Sequence, residues 1–176
     1  TAFAILKTDK SAAAWGDLPQ FLTENLLSAD VLGVFSCGNG FAVIKANGSV
    51  VAWWGVHLLG NDEALKLNLA SGVVRISSTL SAFAALKFDG SVVTFGEPSV
   101  GGDSSKVASE LESSVVKVFS NAGAFTALKS DGSIVSWGGQ VMAETAVQSY
   151  KIRRSKPLIS ALLMAPLPHS ETTDLF

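Results

Sequence analysis

The stretch Ala124 to Gly138, AFTALKSDGSIVSWG, has three earlier near-copies in the same chain, and this self-similarity limits the possible folds more than any other feature. The copies read AFAILKTDKSAAAWG from Ala2, FAVIKANGSVVAWWG from Phe41 and AFAALKFDGSVVTFG from Ala82. Their leading aromatics are Phe3, Phe41, Phe83 and Phe125; the last two steps are identical and the first is slightly shorter. A fixed period of roughly 40 residues marks a unit that buries its apolar surface only by stacking on its neighbours.

Each copy carries the instructions for a hairpin. Phe125 to Leu128 is mostly apolar, Asp131-Gly132 follows between two serines, and Ile134 to Trp137 is again rich in β-branched and aromatic residues. An Asx-Gly pair between two such runs predicts a two-residue type I′ turn, with positive φ at both central positions. Asn47-Gly48 and Asp89-Gly90 repeat it, whereas Asp9-Lys10 makes the first hairpin the least secure, because lysine is strained where glycine is not.

Two further markers share the period. Val34, Ile76 and Val118, in VLGVFS, VVRISS and VVKVFS, recur at the interval of the later aromatics, each seven before the next one, and predict a third strand per unit joined to the hairpin by a tight antiparallel connection. Leu27, Leu69 and Leu111 recur at the same interval. Leu65 and Leu69, or Val107 and Leu111, lie four apart behind Asp62 and Asp103, which predicts a short N-capped helix in each connection.

With 48% hydrophobic and 16% charged residues, these strands have too little charge to keep one face in water. Three-stranded antiparallel sheets that are apolar on both faces stack radially, so the expected fold is all-β, a partial or small β-propeller with short helical connections; an extended solenoid is the alternative. Trp15, Trp53 or Trp54, Phe95 and Trp137 are expected to fill the gaps between blades. Residues 1–139 hold three units and a fraction of a fourth. Residues 140–176 are expected to be a degenerate or disordered tail, since Arg153, Ser160 and Leu167 stand where the markers should recur. Pro157 to Leu162 is in phase with the third strands and could complete the first hairpin. The chain opens on Thr1 inside a repeat and is read as a piece of a larger protein.

The segment Val34 to Gly55, VFSCGNGFAVIKANGSVVAWWG, resembles the repeat of the regulator of chromosome condensation family, in which a Gly-rich turn, an apolar strand, Asp-Gly and a strand ending in Trp-Gly follow one another. The likeness extends over residues 1–139, and the units are also similar to the propeller-type β-lactamase inhibitor protein. The resemblance implies a β-propeller whose blades can be completed by strands from both chain ends. The family's histidine before the apolar strand is replaced by Phe41, Phe83 and Phe125 or a neighbouring small residue, so nucleotide exchange on a small GTPase carries over to no residue here.

Catalytic chemistry has little to build on. Cys37 is the single cysteine, His57 and His169 are the only histidines, and no hydrolase motif or metal-binding loop surrounds them. Gly38-Asn39-Gly40 is a turn rather than a phosphate cradle, and the net charge of −2 argues against nucleic acid as a partner. The longest late apolar run, Leu158 to Leu167, is broken by Ser160 and Pro166 and falls short of the ~20 residues of a membrane helix, so a soluble chain without signal peptide or membrane span is expected. Lys45, Lys87 and Lys129 recur at the strand end beside each turn and form the candidate binding rim, together with the connections 55–63 and 96–105. The expected function is a non-enzymatic protein-protein interaction module with no cofactor, another protein as partner, and self-association through an exposed blade face. A lectin-like propeller with one aromatic per blade, and an accessory domain of a larger enzyme such as a ubiquitin ligase or kinase, are the alternatives.

Overall fold

A computed structural model describes residues 2–17, 27–38, 40–54, 57–58 and 62–139. The expected tail, with Pro157 to Leu162 and His169, lies outside the described residues, as does much of the connection 55–63. The strands are β1 (Ala2–Leu6), β2 (Ala12–Gly16), β3 (Val31–Ser36), β4 (Gly40–Lys45), β5 (Val50–Trp54), β6 (His57–Leu58), β7 (Val73–Ser78), β8 (Ala82–Lys87), β9 (Val92–Gly96), β10 (Val115–Ser120), β11 (Ala124–Lys129) and β12 (Ile134–Gly138). They form four antiparallel sheets in the orders β1-β2, β3-β4-β5-β6, β7-β8-β9 and β10-β11-β12. The three-stranded unit expected from the sequence is therefore present three times, preceded by a hairpin, and β6 adds a short fourth strand to the first complete blade.

One register runs through all four sheets. Phe3 faces Trp15, Phe41 faces Trp53, Phe83 faces Phe95 and Phe125 faces Trp137 across the central strand pair. Ring centroids in these pairs lie 5.8, 5.4, 5.3 and 5.4 Å apart, the spacing of offset aromatic contacts. Because side chains alternate along a strand, each central strand serves two cores. Val43 with Phe41 and Trp53 packs against Ala4 and Ala14 of the first hairpin, while Ala42, Ile44 and Ala52 pack forward against Phe83 and Phe95. Ala82, Ala84 and Leu86 meet Phe125 and Trp137 in the same way. Both faces of the internal sheets are thus buried, as their composition requires.

The hairpin turns differ from the expected type. Lys87 N donates to Ser91 O at 2.9 Å and Gly90 N donates to Lys87 O at 3.0 Å, which encloses a three-residue loop. Only its last position is left-handed: Gly48, Gly90 and Gly132 have φ of 75°, 81° and 81°, and the Asx residues before them do not have positive φ. The cause is the Asx side chain. Asp89 Oδ1 accepts from Ser91 N at 2.9 Å and from the Ser91 hydroxyl at 2.6 Å, holding the aspartate in an Asx turn. The first hairpin closes identically, with Lys10 at φ 61° in the glycine position. Left-handed lysine costs on the order of 1–2 kcal/mol, and it is held by the surrounding bonds.

These turns also join the blades. Val31 N donates to Lys10 O at 2.8 Å, Val73 N to Gly48 O at 2.9 Å and Val115 N to Gly90 O at 3.0 Å, so each leading strand begins on the preceding turn. A Cβ on Gly90 would lie 2.7 Å from Ser114 N, which excludes larger residues quite apart from φ. At the opposite end Gly38 N donates to Leu80 O and Leu80 N donates to Ala122 O, again one repeat apart.

The leucine markers are buried at 4%, 1% and 2% exposure for Leu27, Leu69 and Leu111, and the carbonyls of Leu69 and Leu111 accept from Val50 N and Val92 N. The short helix α1 (Glu63–Asn68) follows Asp62, whose carboxylate caps Ala64 N and Leu65 N. Asp103 does not cap an α-helix. Its carboxylate bonds Ser105 N, Ser104 bonds the Thr94 hydroxyl on β9, and the segment Ser105–Glu110 is a kinked 3-10 turn with Val107 outside helical angles. Serines that bond locally compete with helix formation; burial of the leucine, rather than helicity, is what the two connections share.

Trp137 Nε1 donates to Gly101 O at 3.1 Å, while Trp53 Nε1 is buried with no partner among the described residues. The register-equivalent residue of the blade between them is Phe95. Trp137→Phe is therefore expected to lower stability by about 1–2 kcal/mol more than Trp53→Phe, because it strands a buried carbonyl, whereas Trp53→Phe removes an unpaired donor. Urea midpoints of the two variants check this ordering.

Candidate functional site

The leading strands share an irregularity. Their register against the central strand shifts between Val31 and Gly33, between Val73 and Arg75, and between Val115 and Lys117. A bulge leaves one residue unpaired and re-aims its side chain. Here the extra residues are Leu32, Val74 and Val116, which are 56%, 59% and 55% exposed and stand one repeat apart. An aliphatic row therefore runs across the blades on the edge where the turns lie, and Phe88, at a turn between two of its members, is 77% exposed.

Between the first and second complete blades this row borders an open cavity of about 410 Å³, lined by Leu32, Gly33, Phe35, Ile44, Asn47, Gly48, Val73, Val74 and Phe88. Gly33 helps to open it. The equivalent positions in the next blades are Arg75 and Lys117, and a Cβ on Gly33 would stand only 3.0 Å from the Phe35 ring. In the third blade the same pair of positions is filled by a cation and a ring, with Lys117 Nζ 4.6 Å from the Phe119 centroid. The cavity lining is mainly apolar, with Asn47 and glycine backbone contributing polar atoms, which suits an aliphatic or aromatic group.

Lys45, Lys87 and Lys129 stand at equivalent places, in register with Val31, Val73 and Val115 at the same edge. Lys87 Nζ donates to Asn68 O at 3.1 Å and Lys129 Nζ to Glu110 O at 2.8 Å, so each ammonium closes the last turn of a connection, where unpaired carbonyls gather. Lys87 and Lys129 thus have a structural task that uses one of the three donors of each ammonium. Asp89 and Asp131, beside Lys87 and Lys129, and Asp9 in the first hairpin have their pKa lowered from 3.8, chiefly by the hydroxyl of the serine two residues on and next by its backbone N–H.

The other candidates assemble no chemistry. Cys37 is half-buried against the core between the first and second complete blades, with its N–H on Gly40 O. His57 lies on β6, paired through the backbone with Trp54. Among the described residues no three His, Cys, Asp or Glu side chains come together as a metal site, and no helix is long and apolar enough to cross a membrane. Trp53, Phe95 and Trp137 are buried between blades, as expected of residues that fill the gaps, whereas Trp15 is exposed. Sequence patterning did not reveal the cavity; a glycine aligned with Arg75 and Lys117 was the available signal.

Three-stranded antiparallel sheets stacked face to face at a fixed period define a β-propeller repeat. The fold is that of RCC1: two solved structures of the yeast protein Prp20 match the chain with TM-scores of 0.52. One, yeast RCC1 (Prp20) bound to Kap60, is 15% identical, with 78% of this chain and 41% of that chain covered. The other, Prp20p from Saccharomyces cerevisiae, described with its binding properties to Gsp1p and histones, is 16% identical over 78% and 42%. The chain spans about two-fifths of the length of these structures. No family model and no curated protein sequence matches it.

The depressed aspartates fix the sign of a pH effect. A group whose folded pKa lies below its unfolded value contributes stability that is present above the unfolded pKa and lost as pH falls through the folded one. Asn47 makes the same bond to Ser49 N, at 2.9 Å, without a charge. The double variant Asp89→Asn, Asp131→Asn is expected to keep its turns and to show a shallower loss of thermal stability below about pH 4 than the parent, as read from melting curves across acid pH.

Proposed function

We propose that this chain is a non-enzymatic protein-interaction module whose docking surface is the turn-bearing edge of its blades. The observation that carries the reading is the cavity between the first two complete blades, flanked by the exposed Leu32, Val74 and Phe88. Contiguous apolar surface of this kind is characteristic of protein contact sites. The partner chemistry that fits is an extended or helical segment with one large apolar side chain for the cavity and acidic residues for the neighbouring Lys45, Lys87 and Lys129. Binding of proteins by yeast RCC1, which has the same fold, supports the class of partner and not its identity.

Gly33→Arg restores the residue type of the next blade and is expected to fill the cavity from within. Leu32→Asp with Val74→Asp removes the apolar flanks without touching the core. Both variants should lose at least tenfold in affinity for a partner recovered by affinity purification, and Leu32→Asp with Val74→Asp should do so with the parental melting profile. Unchanged affinity in both, measured by calorimetry with the purified partner, would sink the proposal.

A further inference from the structure

We infer that Arg75 is a second contact point of the docking edge, and that it reads a carboxylate three residues away from the aromatic side chain that enters the cavity, on one extended partner segment. The inference rests on the docking proposed at the cavity and adds to it a ring, a charge and a spacing.

The cavity wall nearer the second complete blade is built around a ring. Phe88 N donates to Gly72 O at 2.9 Å, and the equivalent bonds in the blades on either side run from Ala46 N to Asp30 O at 2.7 Å and from Ser130 N to Ser114 O at 2.8 Å. A Cβ on Gly72 would lie 2.9 Å from the Phe88 ring. Of the three equivalent positions, the one that holds glycine is thus the one that carries a large side chain opposite, and this ring is 77% exposed. An exposed ring resting on bare backbone beside an apolar hollow favours a second aromatic group as the occupant.

One blade on, Arg75 stands in the register position of Gly33, and it is exposed. Lys87 and Lys129 bond carbonyls of the connections and Lys117 lies over the Phe119 ring, whereas the Arg75 side chain has no hydrogen bond or ion pair among the described residues. Its guanidinium is a planar fork that matches a carboxylate. Asp89 and Asp131 hold turns on the same edge, so the single charge of Asp or Glu fits there better than a doubly charged phosphate. Sheets packed face to face stand about 10 Å apart. In a polyproline II segment, residues three apart share one face and stand about 9 Å apart, whereas a helix needs about seven residues for the same span.

Fluorescein-labelled peptides with one Trp and one Glu in a Ser-Pro background test this by anisotropy against the full chain, the Glu being moved stepwise to about eight residues from the Trp on either side. Affinity is expected to peak with the Glu at the third residue on one side and to fall by about threefold to fivefold elsewhere, the worth of an exposed charge pair. Arg75→Gln should level the series with the parental melting profile, and Arg75→Glu should transfer the preference to a peptide with Lys in place of that Glu. A peak at another position, a series without a peak, a peak that survives in Arg75→Gln, or no binding by any peptide overturns the inference. Peptides that bind without the peak and are weakened by Gly33→Arg leave docking at the cavity standing, whereas peptides that bind and are indifferent to Gly33→Arg count against both readings. Where no peptide binds, docking is decided by the partner recovered from affinity purification.

Discussion

Each blade seats an aromatic pair on a patch of alanines, and the rest of the structure follows from that contact. Sheets packed face to face stand about 10 Å apart, and two rings on one face consume most of that depth. The opposing face must then be nearly flat, which is why Ala42, Ala52 and Ala84 stand where a valine or leucine would collide. Alternation along the strand lets one central strand present rings backward and alanines forward. Phe83 and Ala84 are neighbours in sequence, both fully buried, and they belong to different cores. The repeat is thus directional, and every blade presents a different surface to the blade before it and the blade after it.

That directionality needs a fixed angle between blades, and the backbone supplies it at two ends. The turn carbonyls of Lys10, Gly48 and Gly90 accept from the first residue of the following leading strand. At the other end the chain of bonds from Gly38 through Leu80 to Ala122 runs across three blades. Backbone bonds do not depend on side-chain identity, so the blades keep their spacing while residues on the exposed edge vary. The leucine connections behave the same way. An α-helix in one and a kinked 3-10 turn in the next deliver Leu69 and Leu111 to equivalent buried positions.

The features legible in the sequence are those that every unit must repeat. The ring positions, the three strands, the leucines and the propeller class all came from spacing, because a stacked architecture enforces one register on each copy. The turn type was not legible, since Asx-Gly suits both two-residue and three-residue loops and the choice rests on the bond from the Asx side chain to the serine two residues on. The bulges at Leu32, Val74 and Val116 were hidden for a related reason: an apolar residue on an unpaired position has the same signature as one facing a core. Nor could composition show that Trp15 is exposed while Trp53 and Trp137 are buried, because their local sequences are alike and exposure depends on what packs against each ring.

Function in such a fold is to be sought where equivalent positions disagree. The third residue of the leading strand is Gly33, Arg75 and Lys117 in successive blades, and the fifth is Phe35, Ser77 and Phe119. Val31, Val73 and Val115 and the alternate partners Ile76 and Val118 supply the repeated buried contacts of the strand, while the fifth position adds contacts that differ between blades, Phe35 against the core between the first and second complete blades and Ser77 through its hydroxyl on Val118 O. The third and fifth positions set the local chemistry of the edge: an apolar hollow beside Phe35, a cation with a hydroxyl that bonds Val118 O, and a cation over a ring. Three geometrically equivalent sites therefore offer three different surfaces at one spacing, and a partner that touches more than one of them is selected by their order along the chain as well as by their individual chemistry.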